Sequence, residues 1–599
     1  MSAAQSPFWR RIAAFEMPSP LPPQAVLALA CVYFFVGVLG HDPWKHDDAI
    51  GFGIAWTMHI GGVADWLLPN IGGIAQHDEG PLYFWCAALA IKLFGAHTAL
   101  TAGWIAPYEA ARLPAFMGWL LVTWRMTRIG KTLYATHSNA LAGGIGALVF
   151  VGCAGLFTRA HQASAEVAVV LCLTFAIEGL LRLNAASAAR DTNRARSMVI
   201  LSMAAMAWAT AGQGLALILI VALSAAWAVP KARSTVALGA ALAGVGVLMR
   251  VDLGEWLASP AVPTSTWHTA QWASWGLPQA NLLAFYAKNA VWFTFPAWPL
   301  VFAWAWRNRR DAQAHSALRD TLNDTLHDDA QMRAGVLGRA REARRLCLGL
   351  VLGMVVALSF AQQQGFALLL ASLPPLSLIG GFGALAMRRN AAAGFDWFAA
   401  LLGSGYAIYL AFYGFAVQTG VPPRAAAAML RREPGFELVM SPWALGLAGL
   451  ALLAWAWSLL RIARGTPRAA RIGTTRGVTR WALGLALSWI LLMTLWLPNI
   501  EYGKTFRNVA AQLTQVIRHA NGATQVCVAA ELDDSERASL LYFLGQSGIV
   551  LKPITATCPL RLSSVSHDSV HTPGAGWLLI WSGGRGPRTE QLLLYRKTP

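Results

Sequence analysis

The chain has 599 residues, of which 56% are hydrophobic and 13% charged, and its mean hydropathy is +0.46. Apolar runs of roughly 20 residues recur along it, which excludes a soluble globular protein and predicts a polytopic helical membrane protein. The formal net charge of +18 does not indicate nucleic-acid binding, because the basic residues lie in short segments between the apolar runs, where the positive-inside rule accounts for them.

Hydropathy predicts about thirteen transmembrane helices. We expect them at residues 24–40, 111–124, 133–157, 163–183, 197–210, 211–229, 234–250, 284–306, 346–361, 364–386, 396–418, 443–460 and 481–498. Placing the basic clusters on the cytoplasmic side leaves residues 41–110 on the opposite side. This orientation requires the apolar stretch Pro81–Gly95 to lie at the interface as a helix, because counting it as a span would place Arg125, Arg128 and Lys131 outside.

The division into domains follows from this topology. Residues 1–498 are predicted to form a transmembrane domain, with residues 41–110 as its first periplasmic loop. Residues 499–599 have ordinary polarity and predict a small periplasmic α/β domain. We expect a multi-pass membrane protein whose first loop and C-terminal domain both lie on the extracytoplasmic side.

Short patterns within the C-terminal domain predict its elements. A helix is expected near Thr505–His519, and strands are expected at Val526–Ala529, Gly548–Leu551 and Trp577–Trp581. The domain contains Cys527 and Cys558. A disulfide between them is compatible with an oxidising compartment, but sequence spacing does not decide whether it forms.

Two similar acidic patterns in the first loop, His46-Asp47-Asp48 and His77-Asp78-Glu79, are the clearest candidates for chemistry. A carboxylate at the membrane surface can act as a general base if its environment sets a suitable pKa. His77 and Asp78 together suggest a site for a divalent metal ion that neutralises a phosphate. The alternative is a polar loop whose Asp47 or Asp48 caps a helix.

The order of several motifs resembles one branch of the GT-C glycosyltransferases, which are similar to protein O-mannosyltransferases. That branch is the aminoarabinose lipid A transferases, or ArnT-like proteins. The resembling segments, in chain order, are Asp47-Asp48-Ala49, Asp65-Trp66-Leu67-Leu68-Pro69, Asp78-Glu79-Gly80-Pro81-Leu82-Tyr83-Phe84-Trp85, Arg112-Leu113-Pro114, Ser372-Leu373-Pro374-Pro375 and Glu501-Tyr502-Gly503-Lys504-Thr505-Phe506-Arg507. The similarity covers most of the chain.

The resemblance implies an enzyme that transfers a sugar, with inversion, from a polyprenyl phosphate to a lipid, glycan or protein acceptor. It also implies a bacterial inner membrane, with the active site and the C-terminal domain in the periplasm. Asp47, Asp48 and Asp78 take the positions of catalytic or metal-linked acids in the family. Glu166 resembles another acidic position near the donor, and its alternative is a carboxylate at a helix N-terminus, where the helix dipole favours it. His268 is a candidate metal ligand beside His77 and Asp78, and its alternative is a structural role.

Two departures from the family pattern change the expected acceptor. Glu79 stands where the family places a Lys, and Ala211-Gly212-Gln213-Gly214 replaces Thr-Lys-Gly-Pro. Lysines that would bind a phosphate acceptor are therefore missing, and each lost charge-assisted hydrogen bond costs about 1.5 to 3 kcal/mol. We expect a hydroxyl acceptor instead, with the donor phosphate held by Lys45, His46, His77 or Arg112, or by a metal ion.

Other functions stay open at this point. A non-catalytic relative that binds lipid or acts as a scaffold is compatible with the altered positions. A lipid or solute transporter is less compatible, because the acids lie mainly at helix ends rather than inside spans. For the enzyme we expect a polyprenyl-phosphate-linked sugar and membrane lipids as partners, a monomeric chain, a possible divalent metal ion, and no nucleotide cofactor.

Overall fold

The structure, a computed structural model, covers most of the chain. It describes residues 21–95, 105–134, 140–258, 265–319, 327–431, 435–437, 440–461, 472–520, 525–528, 532–553, 559–565, 576–586 and 590–598. The helices are α1 Pro23–Phe35, α2 Asp47–Ile60, α3 Val63–Leu67, α4 Pro81–Phe94, α5 Pro107–Leu133, α6 Ile145–Val151, α7 Leu156–Arg159, α8 Glu166–Ala185, α9 Ala189–Ala209, α10 Ala216–Ala228, α11 Arg233–Ala258, α12 Ser265–Ala273, α13 Ala280–Phe293, α14 Ala297–Arg319, α15 His327–Ser359, α16 Ala367–Ala386, α17 Arg389–Thr419, α18 Pro423–Leu430, α19 Pro442–Arg461, α20 Arg476–Leu491, α21 Leu497–Lys504, α22 Arg507–His519 and α23 Asp534–Gly545.

Five described helical stretches are long and apolar enough to cross a membrane. They are Pro230–Asp252, Ala367–Ala386, Arg389–Thr419, Pro442–Leu460 and Arg476–His519. Shorter apolar helices lie at Pro23–Phe35, Pro81–Phe94, Ala142–Val151 and Gly212–Ala228. The predicted helical architecture is thus observed, whereas the number of about thirteen spans stays a prediction.

Two predicted spans are interrupted, and glycine and proline explain the breaks. In place of one helix at 133–157, the chain forms a short 3-10 turn, Ala140–Gly144, followed by α6 and α7, in a segment rich in glycine, which disfavours helix. The predicted helix 284–306 is two helices, α13 and α14, separated at Pro296, which has no N–H to donate and clashes with a continuing helix.

The stretch that we expected to lie at the interface is the helix α4. Tyr83 and Phe84 on it are buried, and the Tyr83 hydroxyl donates to the Ala111 carbonyl at 2.7 Å. Leu89 and Leu93 on the same helix are 50% and 42% exposed. One face of α4 therefore packs on the protein, and the other is uncovered and mainly apolar apart from Lys92 near its end, as expected of a helix in contact with lipid.

The C-terminal domain contains a five-stranded mixed sheet. Its strands are β3 Gln525–Val528, β4 Val550–Pro553, β5 Leu560–Val565, β6 Trp577–Gly583 and β7 Gln591–Lys597, in the order β4-β3-β5-β7-β6. β3 is parallel to β4 and β5, and β7 is antiparallel to β5 and β6. A two-stranded ribbon, β1 Asn70–Ile71 and β2 Ile74–Ala75, lies in the first loop. Cys527 is disulfide-bonded, while its predicted partner Cys558 lies outside the described residues.

The C-terminal domain is joined to the first loop by a close contact between α2 and α23. A Cβ atom on Gly53 would lie 2.4 Å from the Cβ atom of Ala538, so the helices approach as closely as glycine allows. Beside this contact the Tyr542 ring meets the rings of Phe52 and Trp56 edge to face, with centroids 5.0 and 5.1 Å apart. The first loop is therefore held between the helical bundle and the C-terminal domain.

Candidate functional site

The two adjacent aspartates at the start of α2 have different surroundings. Successive helical side chains point in directions about 100° apart, so Asp48 faces the protein interior and Asp47 does not. Asp48 is 1% exposed, whereas the Asp47 side chain is 44% exposed. Both carboxylates lie in the first turn of α2, where the helix dipole favours negative charge.

Asp48 is fully engaged with buried partners. Its carboxylate accepts from Arg112 Nε at 3.0 Å and from Arg112 Nη2 at 2.6 Å, and the backbone N–H of Ala163 and of Trp44 donate to it at 3.0 and 3.1 Å. Burial by itself would raise the pKa of Asp48, but the adjacent Arg112 charge outweighs burial and lowers that pKa. Asp48 and Arg112 therefore form a buried ion pair, and neither lines the cavity beside them.

A cavity of about 380 Å³ lies between the first loop and the bundle. Four acidic residues line it, namely Asp47, Asp78, Glu79 and Glu166. All four were predicted as site residues, and the fold brings them together from three separate segments. Apolar residues complete the wall, among them Ile50, Phe84, Val169 and Phe366. The cavity thus combines acidic and apolar surfaces.

Arg159, at the end of α7, is the only basic residue lining this cavity within the described part of the chain. Its Nη1 lies 3.1 Å from Asp47 Oδ2 and 3.5 Å from Glu166 Oε1. Its guanidinium carbon lies 4.3 Å from the centre of the Phe366 ring, within the range of a cation–π contact. Arg159 therefore supplies a positioned positive charge among the four carboxylates.

The electrostatics of the cavity act most strongly on Glu79. Burial, together with the nearby charges of Glu166, Asp47 and Asp78, raises the pKa of Glu79 to about 8. Burial also raises the pKa of Asp78. At neutral pH the Glu79 carboxyl is therefore mainly protonated. In this neutral form it can donate a hydrogen bond to an anion and does not repel it.

The segment that carries Asp78 and Glu79 is fixed by the chain after α9. Glu79 pairs with Thr210 in an isolated antiparallel bridge. Gln271 Nε2 donates to the His77 carbonyl at 2.8 Å, and Gln271 Oε1 accepts from the Gly212 N–H at 2.5 Å. The turn Ala211–Gly214, where the family pattern has its second Lys, therefore lies directly against the acidic segment.

Lys45 and His46, which were predicted to bind the donor phosphate, face the C-terminal domain. Lys45 Nζ lies 2.9 Å from Glu536 Oε1 and 3.4 Å from Glu590 Oε2. His46 is exposed, and its Nδ1 lies 3.6 Å from Asp533 Oδ1. Neither residue lines the cavity. The sequence prediction assigned the phosphate to them because the family's lysines are missing, but in the structure their side chains contact acidic residues of the C-terminal domain.

The predicted metal ligands are not assembled in the described part of the structure. Within it, no group of three or more His, Cys, Asp or Glu side chains is placed to hold a metal ion. Asp78 lines the cavity and His77 does not, while the side chain of the third predicted ligand, His268, lies outside the described residues. The described residues therefore do not fit a metal centre, and a metal requirement stays a prediction from sequence.

Sequence reasoning missed Arg159 and Gln213, which both line the cavity. Gln213 was noted as a departure from the family pattern, but its position in the site was not inferred. Arg159 lies close to His161, at a turn that the predicted topology places outside, where the positive-inside rule makes an arginine unexpected. An arginine on the outer side of the membrane was the sequence signal from which Arg159 could have been predicted.

Comparison with known proteins gives a match at the level of structure. No family model and no curated protein sequence matches the chain. The crystal structure of ArnT from Cupriavidus metallidurans bound to undecaprenyl phosphate superposes with a TM-score of 0.60 and 13% identity, covering 95% of this chain and 97% of that one. The apo state of ArnT gives 0.60, 14% identity and the same coverage.

A third structure, arabinosyltransferase EmbB from Mycobacterium smegmatis, has a TM-score of 0.39 and 13% identity over 84% of this chain and 42% of its own, and we draw nothing from it. The ArnT match shows that the chain has the ArnT fold over nearly its whole length. The resemblance that the ordered motifs indicated is thus confirmed for the fold.

Proposed function

We propose that the protein is an integral-membrane glycosyltransferase of the ArnT-like GT-C type. In this proposal it moves a sugar, with inversion, from a polyprenyl phosphate to an acceptor hydroxyl at the periplasmic face of the bacterial inner membrane. The observation that carries the proposal is the cavity in which Asp47, Glu79 and Glu166 surround Arg159. The shared fold adds support, since one of the ArnT structures contains undecaprenyl phosphate.

Asp47 is the residue that we assign as the general base. It lines the cavity and its carboxylate is partly exposed, whereas Asp48 is already bound to Arg112. Asp47 would accept the proton of the acceptor hydroxyl as that oxygen attacks the anomeric carbon of the donor sugar. The bond between that carbon and the phosphate oxygen breaks, and its electron pair leaves with the polyprenyl phosphate.

Arg159 is the residue that we assign to the leaving phosphate. Phosphate binds arginine through two parallel hydrogen bonds, which need an accessible guanidinium edge. Arg159 lines the cavity and stands 3.1 Å and 3.5 Å from its two carboxylate neighbours, so a phosphate can replace one of these partners. The protonated Glu79 carboxyl would donate a further hydrogen bond, which offsets the loss of the family's lysine at this position.

The experiment is donor turnover by the purified full-length protein. The protein would be supplied with synthetic polyprenyl-phosphate sugars and a set of lipid, glycan and peptide acceptors, and released polyprenyl phosphate would be measured. Asp47→Asn should lower turnover by about 10² to 10⁴-fold, as for other general bases. Arg159→Gln should raise the KM for the donor and also lower kcat.

Asp534→Asn is the matched control, because this carboxylate lies on the C-terminal domain, away from the cavity, and pairs with Arg537 three residues later. It should leave turnover unchanged. Full turnover in Asp47→Asn would contradict the assignment of the base. Binding of polyprenyl phosphate without turnover of any donor would favour the non-catalytic alternative instead.

A further inference from the structure

A second cavity, of about 810 Å³, lies at the opposite end of the bundle from the acidic cavity. Helix α8 connects the two, because it begins at Glu166 in the acidic cavity and carries Arg182 in the second one. These residues are about 24 Å apart along the helix at 1.5 Å per residue, close to the hydrocarbon thickness of about 30 Å. The second cavity therefore lies near the other bilayer surface. We call it the basic groove.

The basic groove has an excess of positive charge. Arg128, Lys131, Arg182 and Arg194 line it, against Glu178 and Asp191. Lys131 and Arg194 are both exposed, and neither has an acidic partner within the described residues. The charge of the groove is therefore not neutralised by the protein itself.

Glu178, the buried acid of the groove, is surrounded by three arginines. Its carboxylate lies 2.5 Å from Arg182, 3.3 Å from Arg125 and 3.8 Å from Arg128. The Arg125 guanidinium carbon is also 4.4 Å from the ring centres of both Trp124 and Phe175. This network holds Arg128 and Arg182 at the groove, and the single carboxylate of Glu178 offsets only one of the three arginine charges.

We propose that the basic groove binds the phosphate headgroup of an anionic phospholipid. Apolar side chains from membrane helices line the same groove, among them Leu27, Trp124, Leu181 and Met198. An acyl chain can pack on these side chains while the phosphate meets the basic ones, whereas free phosphate would use only the basic part. Basic pockets between helices at the cytoplasmic side are typical sites for anionic lipid headgroups.

The test is native mass spectrometry of the full-length protein with added phosphatidylglycerol, phosphatidylcholine or inorganic phosphate. The wild-type protein should retain phosphatidylglycerol and not phosphatidylcholine. In the triple variant Arg128→Gln, Lys131→Gln and Arg194→Gln, retention should weaken about tenfold or more. The control triple variant Lys231→Gln, Arg388→Gln and Arg389→Gln removes the same charge from exposed positions outside the groove and should bind as the wild type does.

Any one of several results would overturn the proposal. They are unchanged binding in the groove variant, an equal loss in the control variant, equal retention of phosphatidylcholine, and displacement of the lipid by an equal concentration of inorganic phosphate. If the triple variant does not purify, Lys131→Gln and Arg194→Gln singly should each weaken binding about threefold, and unchanged binding in both would equally overturn it.

The acidic cavity is tested separately in the same measurement. Arg159→Gln, which alters only that cavity, should retain phosphatidylglycerol fully. A loss of phosphatidylglycerol in Arg159→Gln would place the lipid in the acidic cavity and overturn the basic-groove assignment. Because lipid retention is measured without any sugar donor, a failure of the proposed transferase activity would not affect this result.

Discussion

Arg112 binds Asp48 at two points, with Nη2 2.6 Å from Oδ2 and Nε 3.0 Å from Oδ1, and both side chains are 1% exposed. The remaining donors of Arg112 reach the backbone carbonyls of His41 and Asp42 at 2.9 and 2.8 Å. This pair ties the start of the first loop to α5. Together with the backbone N–H groups of Ala163 and Trp44, Arg112 gives each oxygen of the Asp48 carboxylate two donors. This is the reason why only one of the two adjacent aspartates is available to a substrate.

The first prediction separates the two aspartates. Asp48→Asn should destabilise the protein by about 3 to 5 kcal/mol, because it leaves the buried Arg112 charge uncompensated. Asp47→Asn should change the free energy of unfolding by about 1 kcal/mol or less, since its ion pair with Arg159 is partly exposed. Thermal unfolding in detergent measures both. An equal loss of stability in the two variants would contradict the different environments described for them.

The second prediction concerns Lys45, which contacts the C-terminal domain rather than the cavity. Lys45→Met should lower stability by about 1 to 3 kcal/mol, because Glu536, whose side chain is 2% exposed, loses its cation. The KM for the donor should stay within about twofold of the wild type, which corresponds to under 0.5 kcal/mol. Lys92→Met, an exposed lysine on α4, is the control and should change neither quantity. A large rise in KM for Lys45→Met would restore Lys45 as a phosphate ligand.

The elements that sequence predicted correctly are those with a strong local signal. The helix expected at Thr505–His519 is observed at Arg507–His519, and the strand expected at Trp577–Trp581 is observed at Trp577–Gly583. Helix α23 was missed because its buried residues include Ser535, Glu536 and Ser539, so its apolar periodicity is weak. It is buried by contact with α2, which local sequence does not reveal.

The candidate site also could be predicted only in part from the sequence. The acidic patterns of the first loop identified Asp47, Asp78 and Glu79, which line the cavity together. Adjacency in sequence did not indicate that Asp48 faces Arg112, which comes 64 residues later. The pairing of Lys45 with Glu536 joins residues 491 positions apart. The packing of distant segments decides which charged side chains become partners. Hydropathy and short motifs do not reveal that packing.

The third prediction tests the close contact of the first loop with the C-terminal domain. Gly53→Ala should destabilise the protein by about 1 to 3 kcal/mol, because the added methyl would lie 2.4 Å from the Ala538 Cβ atom. Adding Ala538→Gly removes that methyl and should recover part of the loss, a coupling of about 1 kcal/mol or more. Gly244→Ala, on α11 with no atom within 4 Å of the added Cβ, is the control and should not destabilise.

Unfolding of the purified variants, together with proteolysis of the C-terminal domain, gives the measurement. If the two changes at the contact between α2 and α23 add without coupling, the helices do not approach as described. A destabilised Gly244→Ala would instead indicate a general effect of glycine replacement.

The last prediction follows from the raised pKa of Glu79. This carboxyl has a pKa of about 8 in the folded protein, compared with 4.5 in an unfolded chain. Between these values the folded state binds more protons at Glu79 than the unfolded state does, so the contribution of Glu79 to stability is largest below about pH 4.5 and is lost as the pH rises toward 8. Glu79→Gln cannot ionise and should remove this part of the pH dependence.

Unfolding temperatures measured from pH 5 to pH 9 should therefore decline less in Glu79→Gln than in the wild type, with the variant more stable at pH 9. Glu437→Gln, at an exposed position in a loop outside the acidic cavity, is the control and should follow the wild type. Parallel curves for the wild type and Glu79→Gln would mean that Glu79 is already ionised at neutral pH. In that case the cavity would hold a full negative charge where the related pattern has a lysine, and a phosphate leaving group beside Arg159 would no longer be favoured.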